Sequence, residues 1–281
     1  MTRFSLVIVF IVLALTVSGQ GKANKSGSAS LPDHQKYSKL KAVLVVGPCE
    51  TSTSGYILQA KEIGKYLRSK GVQVTELYDP KATWKEVTKA CNGANILFYS
   101  GHGSTLGPNG SAGGLCLTKG LVSTESVSKE IKLHKDALVL FQSVCGGAGS
   151  SASDDSDIGT KVAFERVRDY ARPFIEMGAG GYYADNFYGS TLKFIKKFFA
   201  GESVQTIYTA AATGFSKPEA IADYEYAKGF KMSVASNYTP GTATRTSIRN
   251  GVSKTEEVPS IRSYDIAFVA DPEFTVKRLL Q

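Results

Sequence analysis

Two residues of this chain have the types and settings that nucleophilic catalysis needs. His102 closes the apolar run Ala94–Ser100 within Gly101-His102-Gly103. Cys145 closes a second apolar run, Ala137–Phe141, within Cys145-Gly146-Gly147. Short apolar runs bounded by turn signals predict buried parallel strands. In an open α/β sheet, chemistry gathers at the carboxyl ends of such strands. A thiol and an imidazole, each at the end of its own strand and each followed by glycine, are therefore expected at one edge of one sheet. There Cys145 would act as nucleophile and His102 as general acid and base, since a thiolate attacks carbonyls readily and an imidazole titrates near neutrality.

The elements that must position them follow an alternating plan. Strands are expected at Lys41–Val46, Val72–Tyr78, Gly180–Ala184 and Ser263–Ala270, besides the two runs above. Helices are expected at Gly55–Lys70, Thr83–Ala90, Ser123–Leu133, Ile158–Met177 (interrupted near Pro173), Thr191–Phe199 and Val204–Phe215. A small hairpin is expected at Gly114–Thr118, inside the glycine-rich stretch between the His and Cys strands. Right-handed crossovers predict a doubly wound sheet whose first four strands run 2-1-3-4, with the His and Cys strands as neighbours. Residues 216–262 give no clear pattern.

At 281 residues the length suits one large domain or two small ones, and neither an internal repeat nor a domain boundary is visible. Arg3 followed by Phe4–Val17 has the form of a secretory signal with cleavage after Gly19, which predicts a secreted or periplasmic protein. The apolar run is too short for the roughly 20 residues of a membrane span, so no stable anchor is expected after cleavage. Residues 20–39 read as a flexible spacer or short propeptide, leaving 40–281 as the folded domain. The net charge of +8 comes from scattered rather than clustered lysines, so no nucleic-acid partner is expected. Of the four cysteines, Cys49 and Cys116 are the pair whose predicted positions allow a disulfide. No His/Cys spacing predicts zinc, and no cofactor or metal is expected. Asp154-Asp155-Ser156-Asp157 reads as a solvated acidic helix start rather than a calcium loop. Asn24, Asn109 and Asn237 head glycosylation sequons for a eukaryotic host.

The hydrophobic block, His-Gly, spacer, hydrophobic block, Cys order resembles the caspase-like cysteine peptidases of clan CD. Gln142-Ser143-Val144-Cys145-Gly146 carries one residue more before the Cys than the caspase signature, and His102 lies 43 residues upstream. Tyr99–Gly103 is similar to the metacaspase and gingipain form of the His motif. Ala171–Ala184 with Phe194–Ala211 resembles the helix, strand and helix pair of gingipain-like and CHAT-type domains. Phe268–Phe274 resembles their terminal strand end, with Ala270 where they have glycine. The resemblance spans roughly residues 40–275. It implies a caspase-like three-layer α/β/α sandwich with a mostly parallel sheet. It also implies a His102–Cys145 dyad that hydrolyses peptide bonds, and an oxyanion hole from the N–H groups of Gly103 and Cys145. Specificity in this clan follows pocket charge. Asp154, Asp155 and Asp157, shortly after Cys145, are the candidates for a pocket that selects Arg or Lys in a peptide or protein substrate. Two alternatives stand beside the peptidase. One is a catalytically inactive binding protein on the same fold. The other is a flavodoxin-like nucleotide or flavin binder using Gly47–Gly55, although Glu50 in that loop would repel a phosphate.

Overall fold

The computed structural model describes residues 33–105, 112–238, 242–249, 252–259 and 261–281. The predicted signal segment 1–19, most of the spacer, and the Asn24 and Asn109 sequons lie outside the described residues.

After a short helix, α1 (Asp33–Lys36), the chain enters β1 (Lys41–Val46), α2 (Thr53–Ser69), β2 (Gln73–Tyr78), α3 (Trp84–Cys91) and β3 (Ala94–Ser100). A hairpin of β4 (Leu115–Leu117) and β5 (Gly120–Val122) precedes α4 (Thr124–Glu130) and β6 (Leu133–Gln142). Then come α5 (Gly159–Glu176), β7 (Gly181–Asp185), α6 (Ser190–Phe199) and α7 (Val204–Ala212). The chain closes with the two-residue strands β8 (Lys217–Pro218) and β9 (Ala222–Asp223), then β10 (Lys231–Asn237), β11 (Thr242–Arg249), β12 (Val252–Pro259) and β13 (Ser263–Ala270).

The main sheet runs β2-β1-β3-β6-β7-β13-β10-β8, with β9 also on β10. Its first four strands have the expected order. The pairs from β2 to β7 are parallel, and those through β13 and β10 are antiparallel, so the sheet is mixed rather than mostly parallel. Apart from β13, which the sequence predicts, the antiparallel half comes from residues 216–262, whose sequence carries no clear pattern. There β8 and β9 are too short to show one, and β11 pairs only with β12, in a polar ribbon of its own.

Six helices cover the two faces, giving three layers. Successive side chains of a strand point to opposite faces. In β1, Val43 and Val45 pack with Val87 of α3, Val127 of α4 and Val167 of α5. Ala42, Leu44 and Val46 pack with Ile63 of α2, Phe198 of α6 and Tyr208 of α7. Every residue of β3 is buried, as expected of a central strand covered on both sides. Ser123 caps α4 by accepting from the Ser126 N–H, as its position predicts. The expected break at Pro173 does not occur: α5 runs on to Glu176. Proline in a helix interior costs about 3 kcal/mol. Here Ala171, Phe174 and Ile175 flank it in the core, so burial of that turn outweighs the lost hydrogen bond. Among the described residues no helix is long and apolar enough to cross a membrane.

Candidate functional site

Strand register decides what can meet. Val46 of β1 pairs with Ser100 of β3, Ser100 with Gln142 of β6, and Gln142 with Asp185 of β7. Four parallel strands thus end level, and the loops after them rise side by side at one edge. They bring Cys49 and Glu50, His102 and Gly103, Cys145, and Asn186. The antiparallel β13 begins at that edge too, with Ile266 opposite Asp185, which adds Ser263 and Asp265.

Two buried tyrosines tie these loops together. The Tyr99 hydroxyl accepts from the Cys116 N–H at 2.9 Å and donates to the His102 carbonyl at 2.7 Å. The Tyr170 hydroxyl, from α5, accepts from the Ser104 N–H at 2.8 Å and reaches the Cys145 carbonyl at 3.0 Å. A Cβ on Gly103 would stand 2.4 Å from that same carbonyl oxygen, so the main chains after His102 and at Cys145 touch. Only glycine permits this approach. Cys145 sits on a turn between two residues with left-handed backbones, Ser143 at φ 55° and Gly146 at φ 82°. Ser143 is the costly one, since a side chain disfavours this conformation, and such strain collects at functional sites. Among the described residues no acceptor takes the N–H of Gly103 or of Cys145.

The ring nitrogens of His102 have other partners than Cys145. Nδ1 lies 3.9 Å from Cys49 Sγ, and Nε2 lies 2.9 Å from Glu50 Oε2. Cys49 and His102 are close enough to act as a catalytic pair, consistent with thiol-protease chemistry in general. Glu50 itself has a left-handed backbone, at φ 40°. Burial pushes the Cys49 thiol above its ordinary pKa, and the Glu50 charge pushes it further; the Tyr56 hydroxyl opposes both. The Cys116 thiol is raised by the same two causes, in the same order. Cys49 also feels Cys145 and Cys116 electrostatically, so three thiols surround this loop cluster. The disulfide expected between Cys49 and Cys116 is not formed; all four cysteines are free. Cys91 is buried far inside α3's core face, which raises its pKa to about 12.

Beside Cys145 opens a groove of about 340 Å³, lined by Tyr56, Ser143, Ser150, Asn186, Ser263 and Asp265 among others. The acidic run expected in such a groove does not line it. Asp154 turns inward instead: its two oxygens take Arg166 Nη2 at 2.8 Å and Nη1 at 2.9 Å, and Oδ2 also accepts from the Ser151 N–H. That pair staples the loop after Cys145 to α5. Asp157 stands 3.5 Å from Arg262, and Asp155 is exposed. The groove's own carboxylate is Asp265, whose Oδ1 accepts from Ser263 Oγ at 2.6 Å and from Asn186 Nδ2 at 3.1 Å.

Glu50, Tyr170 and Asp265 were not legible as site residues from sequence. Cys49 and Glu50 had one usable signal, their place just after the strand next to β3. Tyr170 and Asp265 had none, because helix packing and an antiparallel return bring them in. No known family model matches the chain, and no curated protein matches it. What fold and site define is a three-layer α/β/α protein with a Cys-His cluster at the carboxyl edge of its sheet.

Proposed function

We propose that this protein is an exported caspase-like cysteine endopeptidase, with Cys145 as nucleophile and His102 as general acid and base. The observation that carries the reading is the pair of N–H groups, Gly103 and Cys145, that no acceptor among the described residues takes, on touching main chains beside an open groove. Such donors suit the oxyanion that forms when a thiolate attacks a carbonyl. His102 is 44 % exposed at its side chain, and this reading requires its ring to turn from Cys49 and Glu50 toward Cys145 when a substrate fills the groove. Attack by Cys145 sulfur on the peptide carbonyl breaks the C–N bond, and the proton held by His102 goes to the leaving amine. Water, deprotonated by the same ring, then hydrolyses the thioester and frees the thiol.

Asp265, the single carboxylate among the described residues of the groove's lining, supports Arg or Lys before the scissile bond. Asp154 is already neutralised by Arg166, which argues against its taking this part. A peptide library incubated with the wild-type chain and with Cys145→Ala tests the reading. Cleavage after basic residues, lost in the variant, is expected. No cleavage by the wild type, or equal cleavage by both, overturns it.

The 3.9 Å separation favours one second reading, a hydrolase in which Cys49 itself is the nucleophile. Its raised pKa argues against it, because less of the thiol is ionised at neutral pH.

A further inference from the structure

Cys49, Glu50 and His102 present a sulfur, a carboxylate oxygen and an imidazole nitrogen, all within 4.8 Å of one another. Sulfur and nitrogen donors with one carboxylate are the set that zinc favours over calcium or magnesium. In a tetrahedral site with Zn–S near 2.3 Å and Zn–N near 2.0 Å, the two ligand atoms stand about 3.6 Å apart. Cys49 Sγ and His102 Nδ1 are 3.9 Å apart, so a shift of a few tenths of an ångström admits the ion. Glu50 is 77 % exposed at its side chain and is free to swing from Nε2 onto the metal. Nothing in the sequence marks this site, because His102 is separated from Cys49 by a helix, a strand and a further helix and strand.

We propose that Cys49, Glu50 and His102 bind one Zn²⁺ and that the bound ion switches hydrolysis off by occupying the His102 ring. The fourth position falls to water or to the neighbouring Cys116 thiol, which interacts with Cys49. Binding of the ion stands on the ligand geometry alone; its effect on hydrolysis rests on the function proposed above. A metal held this way withdraws the His102 imidazole from proton transfer, and releasing it restores the base.

The test uses the full chain and cobalt(II) as a visible stand-in for zinc. Thiolate-to-cobalt absorption in the near ultraviolet and tetrahedral bands in the visible should appear at one equivalent, and zinc should displace both. Cys145→Ala should bind as the wild type does. Cys49→Ser and Glu50→Gln should each weaken binding at least about tenfold. Because Glu50 is exposed, Glu50→Gln keeps the test valid even if Cys49→Ser folds poorly. Unchanged binding in Glu50→Gln, an absent thiolate band, or loss of the band in Cys145→Ala overturns the site. Wild-type peptide hydrolysis should then fall with zinc at the midpoint measured for binding. Hydrolysis undiminished at saturating zinc overturns the switch. If no peptide is cleaved without metal either, the peptidase reading fails while the cobalt spectra still decide the site.

Discussion

The Tyr170 hydroxyl lies 3.0 Å from the Cys145 carbonyl oxygen and 2.8 Å from the Ser104 nitrogen. One helix residue thereby holds the loop after His102 and the loop of Cys145 at a fixed separation. Tyr170 is buried, its ring packed edge-on against Phe141 at 5.8 Å between centroids. Tyr170→Phe keeps that packing and removes only the hydroxyl. The Ser104 N–H then loses its partner in a partly buried place, at a cost of about 1–3 kcal/mol. We expect a lower denaturation midpoint and a kcat/KM reduced about tenfold or more, from loosened placement of the two loops. Unchanged kinetics would show that the tie does not position the site.

Gly103→Ala tests the close approach itself. The added methyl would meet the Cys145 carbonyl oxygen and the Tyr170 hydroxyl at 2.4 Å each, and Val144 Cγ1 at 2.6 Å. Two of these are held by the backbone or by a buried ring, so the loop must move. Overpacking of this kind costs about 1–3 kcal/mol. The variant should be less stable by thermal denaturation and inactive in peptide hydrolysis, since the oxyanion donors shift with the loop.

Asp185 ends β7 and is fully buried. Burial raises its pKa to about 6, against hydrogen bonds from Ser190, Thr191 and the Phe187 N–H that lower it. A carboxyl raised in the folded state favours folding while protonated, and that contribution is lost as pH rises through about 6. The loss approaches 3 kcal/mol in order of magnitude, at about 1.4 kcal/mol per pKa unit. Wild-type stability measured by urea denaturation should therefore fall between about pH 4, near the ordinary carboxyl pKa, and about pH 6, and level off above about pH 7. Asp185→Asn cannot ionise and should show a flatter profile over that range. Parallel profiles for the two proteins would place the pH dependence elsewhere.

Asp265 gives the prediction for specificity. Truncating one partner of a desolvated charge pair costs about 2–5 kcal/mol. Asp265→Ala should then lower kcat/KM for peptides with Arg or Lys before the scissile bond by roughly 30-fold or more, while Asp155→Ala, on an exposed residue, should change little. The opposite ranking would return the selecting charge to the acidic run after Cys145.

Much of this fold was legible because its parallel strands are long, apolar and separated by periodic helices. β1 and β13 occupy the residues their sequences predict, and β2-β1-β3-β6 follows from handedness alone. The rest of residues 216–262 was not legible, since β8 and β9 are two residues each and the polar text of the separate β11–β12 ribbon shows no apolar face. At the site, strand ends could be read but side-chain aim could not. His102 stood out because glycines flank it after an apolar run. That its ring turns to Glu50 is a contact between side chains on two different loops, which no residue pattern announces. Asp154 looked available until Arg166, one helix later, was found to hold it with two hydrogen bonds.

The most direct measurement is to find which sulfur forms the covalent bond. The wild-type chain is treated with a peptidyl acyloxymethyl ketone carrying Arg at the reactive end, digested, and the adduct located by mass spectrometry. Attack by a cysteine sulfur on this reagent expels the carboxylate and leaves a stable thioether. The predicted result is a single adduct on Cys145, absent when His102 is replaced by Ala and unchanged in rate by Asp155→Ala. An adduct on Cys49 with Cys145 unmodified would contradict the assignment of Cys145 as nucleophile.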